Sequence, residues 1–200
     1  SKPVMGTNPI AWAAPARNMP PFLFDVATTQ VANNKIGLAR RTGAKIAGGW
    51  ITDLEGEPIL EEIDPPDTGD YYLLHIGGTR ENGSHKGYGL AMMVEVLTTI
   101  LSGVQSSMIE DTRTDKHYFA AYDIAAFTDI VCYQNNVDDL VDGLKQLPRA
   151  DGIDEILVPG EPESQVLEER SRDGIPLPAG TINNLEEVAR RFGVRMPNSL

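Results

Sequence analysis

The sequence predicts a mixed α/β fold (α+β), in which a mostly antiparallel or mixed sheet is covered by helices and which differs from a Rossmann domain. Short apolar segments typical of strands are interleaved with longer segments of helical periodicity. The first two strand segments, at 10–14 and 21–26, meet at a turn, and the connection from Asp53 to Tyr71 contains no helical pattern. A series of parallel βαβ units would need a crossover at each of these places.

Six short segments have the composition of strands. The second of them is apolar on both faces except for Asp25, which indicates an interior strand. The predicted strands are Ile10–Ala14, Pro21–Val26, Trp50–Asp53, Tyr71–Leu74, Tyr118–Ile124 and Ile156–Val158.

Helical periodicity, caps and stop signals predict the helices. The segment Tyr88–Ser102 is apolar on nearly every side, so we expect this central helix to be buried. On the third helix, the pair Asp138 and Asp139 is interpreted as solvated. The others run from a cap at Thr28 or Thr29 to Thr42, from Thr128 to Pro148, from Gly160 to Gly174, and from a cap at Asn183 or Asn184 to Gly193.

Length and charge limit the possible partners. The 200 residues suffice for one large domain or a domain with a lobe, and the formal net charge is −12. Such an acidic chain is a poor partner for nucleic acid or an anionic membrane, and no apolar run approaches the ~20 residues of a membrane span. The single cysteine, Cys132, excludes an internal disulfide and favours a reducing, cytoplasmic location.

We predict two parts of one subunit. Residues 1–127 form a core of sheet and central helix, and residues 128–200 form a helical part packed on the same core. The chain starts at Ser1 without a signal-peptide pattern, which we interpret as a start inside a longer protein.

A glycine-rich loop runs from Gly78 to Leu90 directly before the central helix, with Lys86 at the join. Gly87 and Gly89 leave room for a ligand, and a helix start beside a lysine favours an anion such as phosphate. The alternative is a tight turn packed against another element.

Further short motifs fall where elements begin or end, positions at which backbone groups are open to ligands. Asp25 ends an apolar strand, so it is either part of a site or a cap of the following helix. The four motifs are GTNP at 6–9, FDVATT at 24–29, HKGYGL at 85–90 and VPGEPE at 158–163.

In this order, the motifs GTNPIAWAAP, FDVATT, HKGYGLAMMVEVL and VPGEPE resemble those of the type-2 malate/L-lactate dehydrogenase family. The resemblance covers nearly the whole chain and implies a nucleotide-binding fold unrelated to Rossmann's. It implies a homodimeric enzyme that uses NAD or NADP to transfer a hydride between the cofactor and a small 2-hydroxy/2-oxo acid, such as malate or lactate.

The resemblance also implies site residues. For the substrate carboxylate it offers Arg113 or Lys116, and we favour the arginine because its guanidinium can bind a carboxylate through two hydrogen bonds. The residues matched to cofactor binding are Asp25, Val26, Ala27, Lys86, Gly87, Gly160, Glu161 and Pro162.

The family's acid/base histidine lies upstream of the GTNP motif, so no catalytic residue is assigned in this chain, and a missing N-terminal segment or a partner chain would have to supply it. His75 is interpreted as structural, and neither His85 nor His117 has a claim to be the base. No metal site is predicted. Two alternatives remain: a non-catalytic nucleotide-binding or assembly module, and a phosphate-binding enzyme of unrelated chemistry, which would explain Lys86 alone.

Overall fold

The structure is a computed structural model that describes residues 4–106, 109 and 116–196. Its strands pair as two small two-stranded sheets, β1 with β2 and β3 with β4. The strands are β1 (Ile10–Ala14), β2 (Phe22–Val26), β3 (Ile51–Thr52) and β4 (Tyr72–Leu73). The helices are α1 (Asn33–Thr42), α2 (Ser84–Glu95), α3 (Ile130–Lys145), α4 (Glu161–Asp173) and α5 (Ala179–Phe192).

The chain divides into two compact units. The first unit comprises Ser1–Trp12 with Phe24–Phe127, and the second comprises Ala13–Leu23 with Thr128–Leu200. Residues 13–23, which include the turn between β1 and β2, therefore group with the second half of the chain. The assignment of nucleotide binding to residues 1–127 stays a prediction.

The core of the first unit lies between α1 and the β3–β4 pair. Strands β3 and β4 are antiparallel, with Ile51 opposite Leu73 and Thr52 opposite Tyr72. Ile36 and Ala39 bring one face of α1 into this core, where Ile36 is fully buried. The other buried members are Ile46, Ile51 and Tyr71. The predicted α/β class with antiparallel pairing is confirmed, although the described strands form two small sheets and not one.

The predicted start of α1 at Thr28 or Thr29 is wrong, because the helix begins at Asn33 after an N-cap at Ala32. Both threonines are buried and use their hydroxyls elsewhere: Thr28 donates to the Thr7 carbonyl, and Thr29 donates to the Val31 carbonyl. A tertiary hydrogen bond at Thr28 and a local one at Thr29 thus replace the predicted capping bonds. At the other end of α1, Gly43 adopts φ 69° as predicted for a helix stop.

Other predicted boundaries also differ. The predicted cap of the last helix, Asn183 or Asn184, lies inside α5, which starts at Ala179 after Pro178. The third helix is capped by Asp129, whose side chain accepts from the Cys132 amide, and not by Thr128.

Two predicted strands are absent from the structure. Residues 118–123 are irregular and lead into a 3-10 turn at Ile124–Ala126, and residues 156–158 are irregular as well. Phe119 is 89% exposed, and no strand among the described residues pairs with this segment. Strand formation depends on such a partner, which local composition does not reveal.

The expectation that the central helix is buried on most sides is wrong for the described chain. Helix α2 starts earlier than predicted, at Ser84, and continues as a π-helical turn at Val96–Ile100. Its buried residues are the small ones, Gly87 and Ala91. The larger apolar side chains are substantially exposed, including Leu90, Met92, Met93, Val96, Ile100 and Leu101. Among the described residues, no helix combines the length and apolar character that crossing a bilayer requires.

Candidate functional site

Three of the four sequence motifs meet in the first unit through one series of backbone hydrogen bonds. Thr28, in the FDVATT motif, donates its amide and its hydroxyl to the carbonyl of Thr7 in the GTNP motif, at 2.9 and 3.0 Å. The Ile76 amide donates to the Thr28 carbonyl at 3.0 Å, and the Gly87 amide donates to the Ile76 carbonyl at 3.2 Å. Segments far apart in sequence therefore form one connected arrangement around the start of α2.

Asn8 adds a second connection that the sequence interpretation did not single out. Its side-chain amide donates to the Ala91 carbonyl in α2 at 2.9 Å. Its backbone has φ 38°, a conformation in which asparagine is enriched among the non-glycine residues. Asn8 thus holds the GTNP motif against the middle of α2. Its position within the GTNP motif is the sequence signal that could have identified it.

The loop before α2 closes tightly on itself. Gly77 has φ 99°, and a Cβ there would lie 2.6 Å from the Gly83 carbonyl. Gly83 is the N-cap of α2 with φ 89° and provides no side-chain cap. The Ser84 amide donates to Thr79 and the Lys86 amide to Gly83, so these first-turn donors are already used within the loop.

Lys86 is exposed on the first turn of α2. Its side chain folds back towards the N-cap, so that a Cβ on Gly83 would lie 3.5 Å from the Lys86 Nζ. Among the described residues no carboxylate forms an ion pair with this ammonium group. Because several first-turn amides are engaged, the attraction for an anion at this helix start comes mainly from the Lys86 charge.

The two glycines after Lys86 have different roles. A Cβ on Gly87 would lie 2.4 Å from the Ile76 nitrogen and 2.5 Å from its oxygen, so the missing side chain is required for packing of α2 against residue 76. A Cβ on Gly89 would meet nothing within 4 Å. The packing alternative therefore explains the space at Gly87, whose assignment to cofactor binding stays a prediction.

Asp25 is exposed at the end of β2, and Val26 and Ala27 are half-buried beside it. The alternative that Asp25 caps the following helix is wrong, because α1 begins at Asn33 and lacks a side-chain cap. An exposed carboxylate at a strand end is available to a ligand hydroxyl.

A cavity of about 710 Å³ opens in the first unit beside the GTNP motif. His75 lines it, pairs with Thr29 as an antiparallel bridge and meets the Tyr88 ring edge-on at 5.8 Å. Its buried Nδ1 has no hydrogen-bond partner among the described residues. The Tyr71 hydroxyl in the same cavity donates to Asn33 at 2.6 Å. The bridge and the ring contact support the structural interpretation of His75.

The fourth motif lies in the second unit, at the start of α4. Gly160 is the N-cap with φ 100°, and a Cβ there would lie 2.9 Å from the Pro21 carbonyl oxygen. The Leu23 amide donates to the Pro159 carbonyl at 3.1 Å, which bonds this loop to β2. Pro162 occupies the first turn of α4, where its missing N–H costs nothing.

Glu161 is buried, with both carboxylate oxygens engaged. Oε1 accepts from the Lys145 ammonium at 2.6 Å, and Oε2 accepts from the Val158 amide at 3.0 Å. The hydrogen bond from Lys145 lowers the pKa of Glu161, which burial opposes and the Val158 amide reinforces. The same hydrogen bond raises the pKa of Lys145. Glu161 is therefore ionised, and its carboxylate is hydrogen-bonded within the protein. No spacing in the sequence indicated Lys145 as its partner.

The interpretation of Asp138 as a solvated charge is wrong. Its carboxylate is buried and accepts from the backbone amides of Arg17, Asn18 and Met19 and from the Asn18 side chain. Burial raises the pKa of Asp138, but these hydrogen bonds outweigh that effect and lower it. Asp138 thus fastens the turn between β1 and β2 to α3, whereas its neighbour Asp139 is exposed as predicted.

The remaining predicted positions are only partly described. Arg113 lies outside the described residues, and Lys116 is half-buried. His85 and His117 are exposed. Among residues 4–106, 109 and 116–196, no group of histidine, cysteine, aspartate or glutamate side chains is arranged to hold a metal ion.

Comparisons with known proteins identify relatives of this chain. A sequence model of the malate/L-lactate dehydrogenase family matches residues 1–186. A malate dehydrogenase of Pyrococcus abyssi is 35% identical over 96% of this chain and 54% of its own length. A (2R)-3-sulfolactate dehydrogenase (NADP(+)) of Chromohalobacter salexigens is 31% identical over 94% of this chain and 54% of its own. The crystal structure of a malate dehydrogenase from Entamoeba histolytica superposes with a TM-score of 0.85 at 29% identity, covering 96% of this chain and 56% of that one.

The fold and the sequence are thus similar to those of a group of dehydrogenases. The chain belongs to the malate/L-lactate dehydrogenase family, which confirms the resemblance predicted from its motifs. It spans about half the length of the curated relatives it matches.

Proposed function

We propose that this chain provides the cofactor-binding part of an NAD(P)-dependent oxidoreductase that interconverts a small 2-hydroxy acid and the corresponding 2-oxo acid. The observation that carries the proposal is the connected arrangement of GTNP, FDVATT and glycine-loop motifs around Lys86 in a chain of this family. A bound nicotinamide cofactor would supply or accept the hydride.

The described residues fit a dinucleotide. Its phosphates need a cation, and Lys86 is an exposed ammonium group without an ion pair among the described residues. Its ribose hydroxyls need acceptors, and Asp25 offers an exposed carboxylate at the end of β2. We propose that Lys86 and Asp25 bind the cofactor through their side chains, with Val26, Ala27 and Gly87 beside them. Gly160, Glu161 and Pro162 contribute through the backbone of their loop, because the Glu161 carboxylate is already engaged.

The substrate acid needs a cation for its carboxylate and a proton donor beside the forming alkoxide. We propose Arg113 as that cation, with Lys116 as the alternative. The resemblance places the acid/base histidine before the GTNP motif, so residues 1–200 alone are expected to bind the cofactor without turnover. We further expect the active enzyme to be a cytoplasmic homodimer.

Titration of NADH and NADPH fluorescence with residues 1–200 tests the proposal. Lys86→Ala should weaken binding by about 1.5–3 kcal/mol, or about 10- to 150-fold in dissociation constant, since a hydrogen bond to a charged group is lost. The matched control is Lys45→Ala, which removes another exposed lysine of the first unit and should leave the affinity unchanged. Equal affinities of both variants and the unmodified protein would remove Lys86 from the site.

Turnover separates the enzyme from the non-catalytic module. Residues 1–200 joined to the additional segment found in the relatives should oxidise a 2-hydroxy acid, whereas residues 1–200 alone should not. Cofactor binding without turnover in both forms would favour the module. Turnover by residues 1–200 alone that is lost in His85→Ala or His117→Ala would show that the base lies in this chain.

A further inference from the structure

Glu161 occupies an unusual position for a residue matched to nucleotide binding, because its side chain is turned into the protein. Only 9% of the residue is exposed. Its two carboxylate oxygens accept from Lys145 and from the amide of Val158, three residues earlier. What the loop can offer a ligand is therefore its backbone and its shape.

The carboxylate closes the loop that precedes α4. The Val158 amide donates to the Glu161 side chain, and the Glu161 amide donates back to the Val158 carbonyl at 3.1 Å. This reciprocal pair fixes residues 158–161 as a compact turn. The turn is also bonded to β2 through Leu23 and Pro159, and Gly160 packs against Pro21 and Leu23. The conformation of residues 158–161 thus depends on the buried Glu161 carboxylate keeping its position.

Lys145 is the residue that keeps this anion in place. It ends α3, and its side chain is 30% exposed against 11% for that of Glu161. Its Nζ lies 2.6 Å from Glu161 Oε1, a short charge-assisted hydrogen bond. A buried carboxylate without its counter-charge is strongly unfavourable, so loss of Lys145 would drive Glu161 to protonate or to turn towards solvent.

We propose that Lys145 is a positioning residue for the cofactor. It acts through Glu161 and sets the conformation of residues 158–162 that the cofactor meets. This inference rests on the proposed function and adds to it a residue from α3 that makes no contact with the ligand itself. The two lysines then have different roles: Lys86 attracts the cofactor by its charge, and Lys145 neutralises Glu161 within the loop.

The test compares Lys145→Met with Lys145→Arg and with the control Arg172→Met. Arg172 forms an exposed ion pair with Asp173 on the same α4 helix, so its loss matches the charge change without touching the loop. Hydrogen–deuterium exchange of residues 158–164 is measured without cofactor, and NADH and NADPH affinities are measured by fluorescence. Glu161→Gln serves as a second variant if Lys145→Met does not fold.

Lys145→Met should accelerate exchange of the Val158 amide and weaken cofactor binding by about tenfold, because binding must then supply the free energy of ordering the loop that the hydrogen bond between Lys145 and Glu161 supplied before. Lys145→Arg should retain most of the exchange protection and most of the cofactor affinity. Arg172→Met should change neither the exchange rate nor the affinity. Faster exchange with unchanged affinity would assign Lys145 a structural role only and overturn the proposal, as would unchanged exchange. Failure of the unmodified protein to bind either cofactor would overturn the proposed function and this role together, and the exchange data would still report whether the ion pair orders the loop.

Discussion

The two loops matched to cofactor binding begin their helices in the same way but use charge in opposite ways. Each helix has a glycine N-cap with positive φ, 89° at Gly83 and 100° at Gly160, and neither has a side-chain cap. At α2 the charged residue, Lys86, is exposed and lacks an ion pair among the described residues. At α4 the first turn carries two acids: Glu161 is buried and neutralised by Lys145, and Glu163 is exposed.

The same backbone device thus carries an exposed charge at one helix and a buried ion pair at the other, which we propose serve recognition and positioning respectively. A glycine N-cap lets the chain enter a helix sharply and approach a neighbour closely. The exposed lysine adds a long-range attraction for an anion, whereas the buried ion pair adds rigidity without net charge. Motif matching treats both loops as binding segments, and only their side-chain environments separate the two roles.

The largest expected effect concerns the packing of the Lys86 loop. Gly87→Ala should destabilise the protein by about 3 kcal/mol, at the upper end for overpacking, because the new methyl would collide with the backbone of Ile76. Gly89→Ala, two residues later in open space, should stabilise it by about 0.5–1 kcal/mol through helix propensity. Urea unfolding measures both. Equal effects would mean that Gly87 is open to a ligand and not closed by packing.

The two N-cap glycines should respond unequally to the same substitution. Gly160→Ala should cost about 2 kcal/mol or more, since it combines a left-handed residue with a contact to the Pro21 carbonyl. Gly83→Ala should cost about 1 kcal/mol, because the nearest atoms belong to the flexible end of Lys86. Thermal unfolding measures the stability of both variants. A larger loss of stability for Gly83→Ala would mean that the loop before α2, and not the loop before α4, is the more tightly packed.

The family could be predicted from the motifs, whereas the surroundings of those motifs could not. Strand β1 and the stop of α1 at Gly43 follow from local signals, since apolar composition and a left-handed glycine act within a few residues. The absence of a strand at 118–124 and the exposure of α2 could not be predicted, because both depend on whether another part of the chain packs against these segments. Asp138 and Glu161 are the clearest cases: each looks like a surface acid, and each is buried by partners distant in sequence.

Acid should weaken the Gly160 loop. The pKa of Glu161 is lowered in the folded state by its hydrogen bond to Lys145, so its contribution is fully present above the ordinary glutamate pKa of about 4.3 and is lost as pH falls through the folded value. Glu161→Gln should therefore reduce stability at neutral pH and flatten its decline in acid. Glu163→Gln, an exposed acid on the same first turn, is the control. Unfolding across pH 2–7 measures both, and identical acid profiles for the two variants would contradict the assignment.

The smallest expected effect is a difference in salt dependence of cofactor affinity. Between about 0.1 M and about 1 M salt the Debye length falls from roughly 10 Å to 3 Å, which screens exposed charges far more than buried pairs. Because Lys86 is exposed, affinity of the unmodified protein should fall as salt rises, and Lys86→Ala should flatten this dependence. Lys145→Met should lower affinity at every salt concentration and keep the slope, because its partner Glu161 is buried and acts through loop geometry. Fluorescence titrations at several salt concentrations give the slopes. A flattened slope for Lys145→Met would mean that both lysines act on the cofactor through their charge, and the distinction between the two loops would fail.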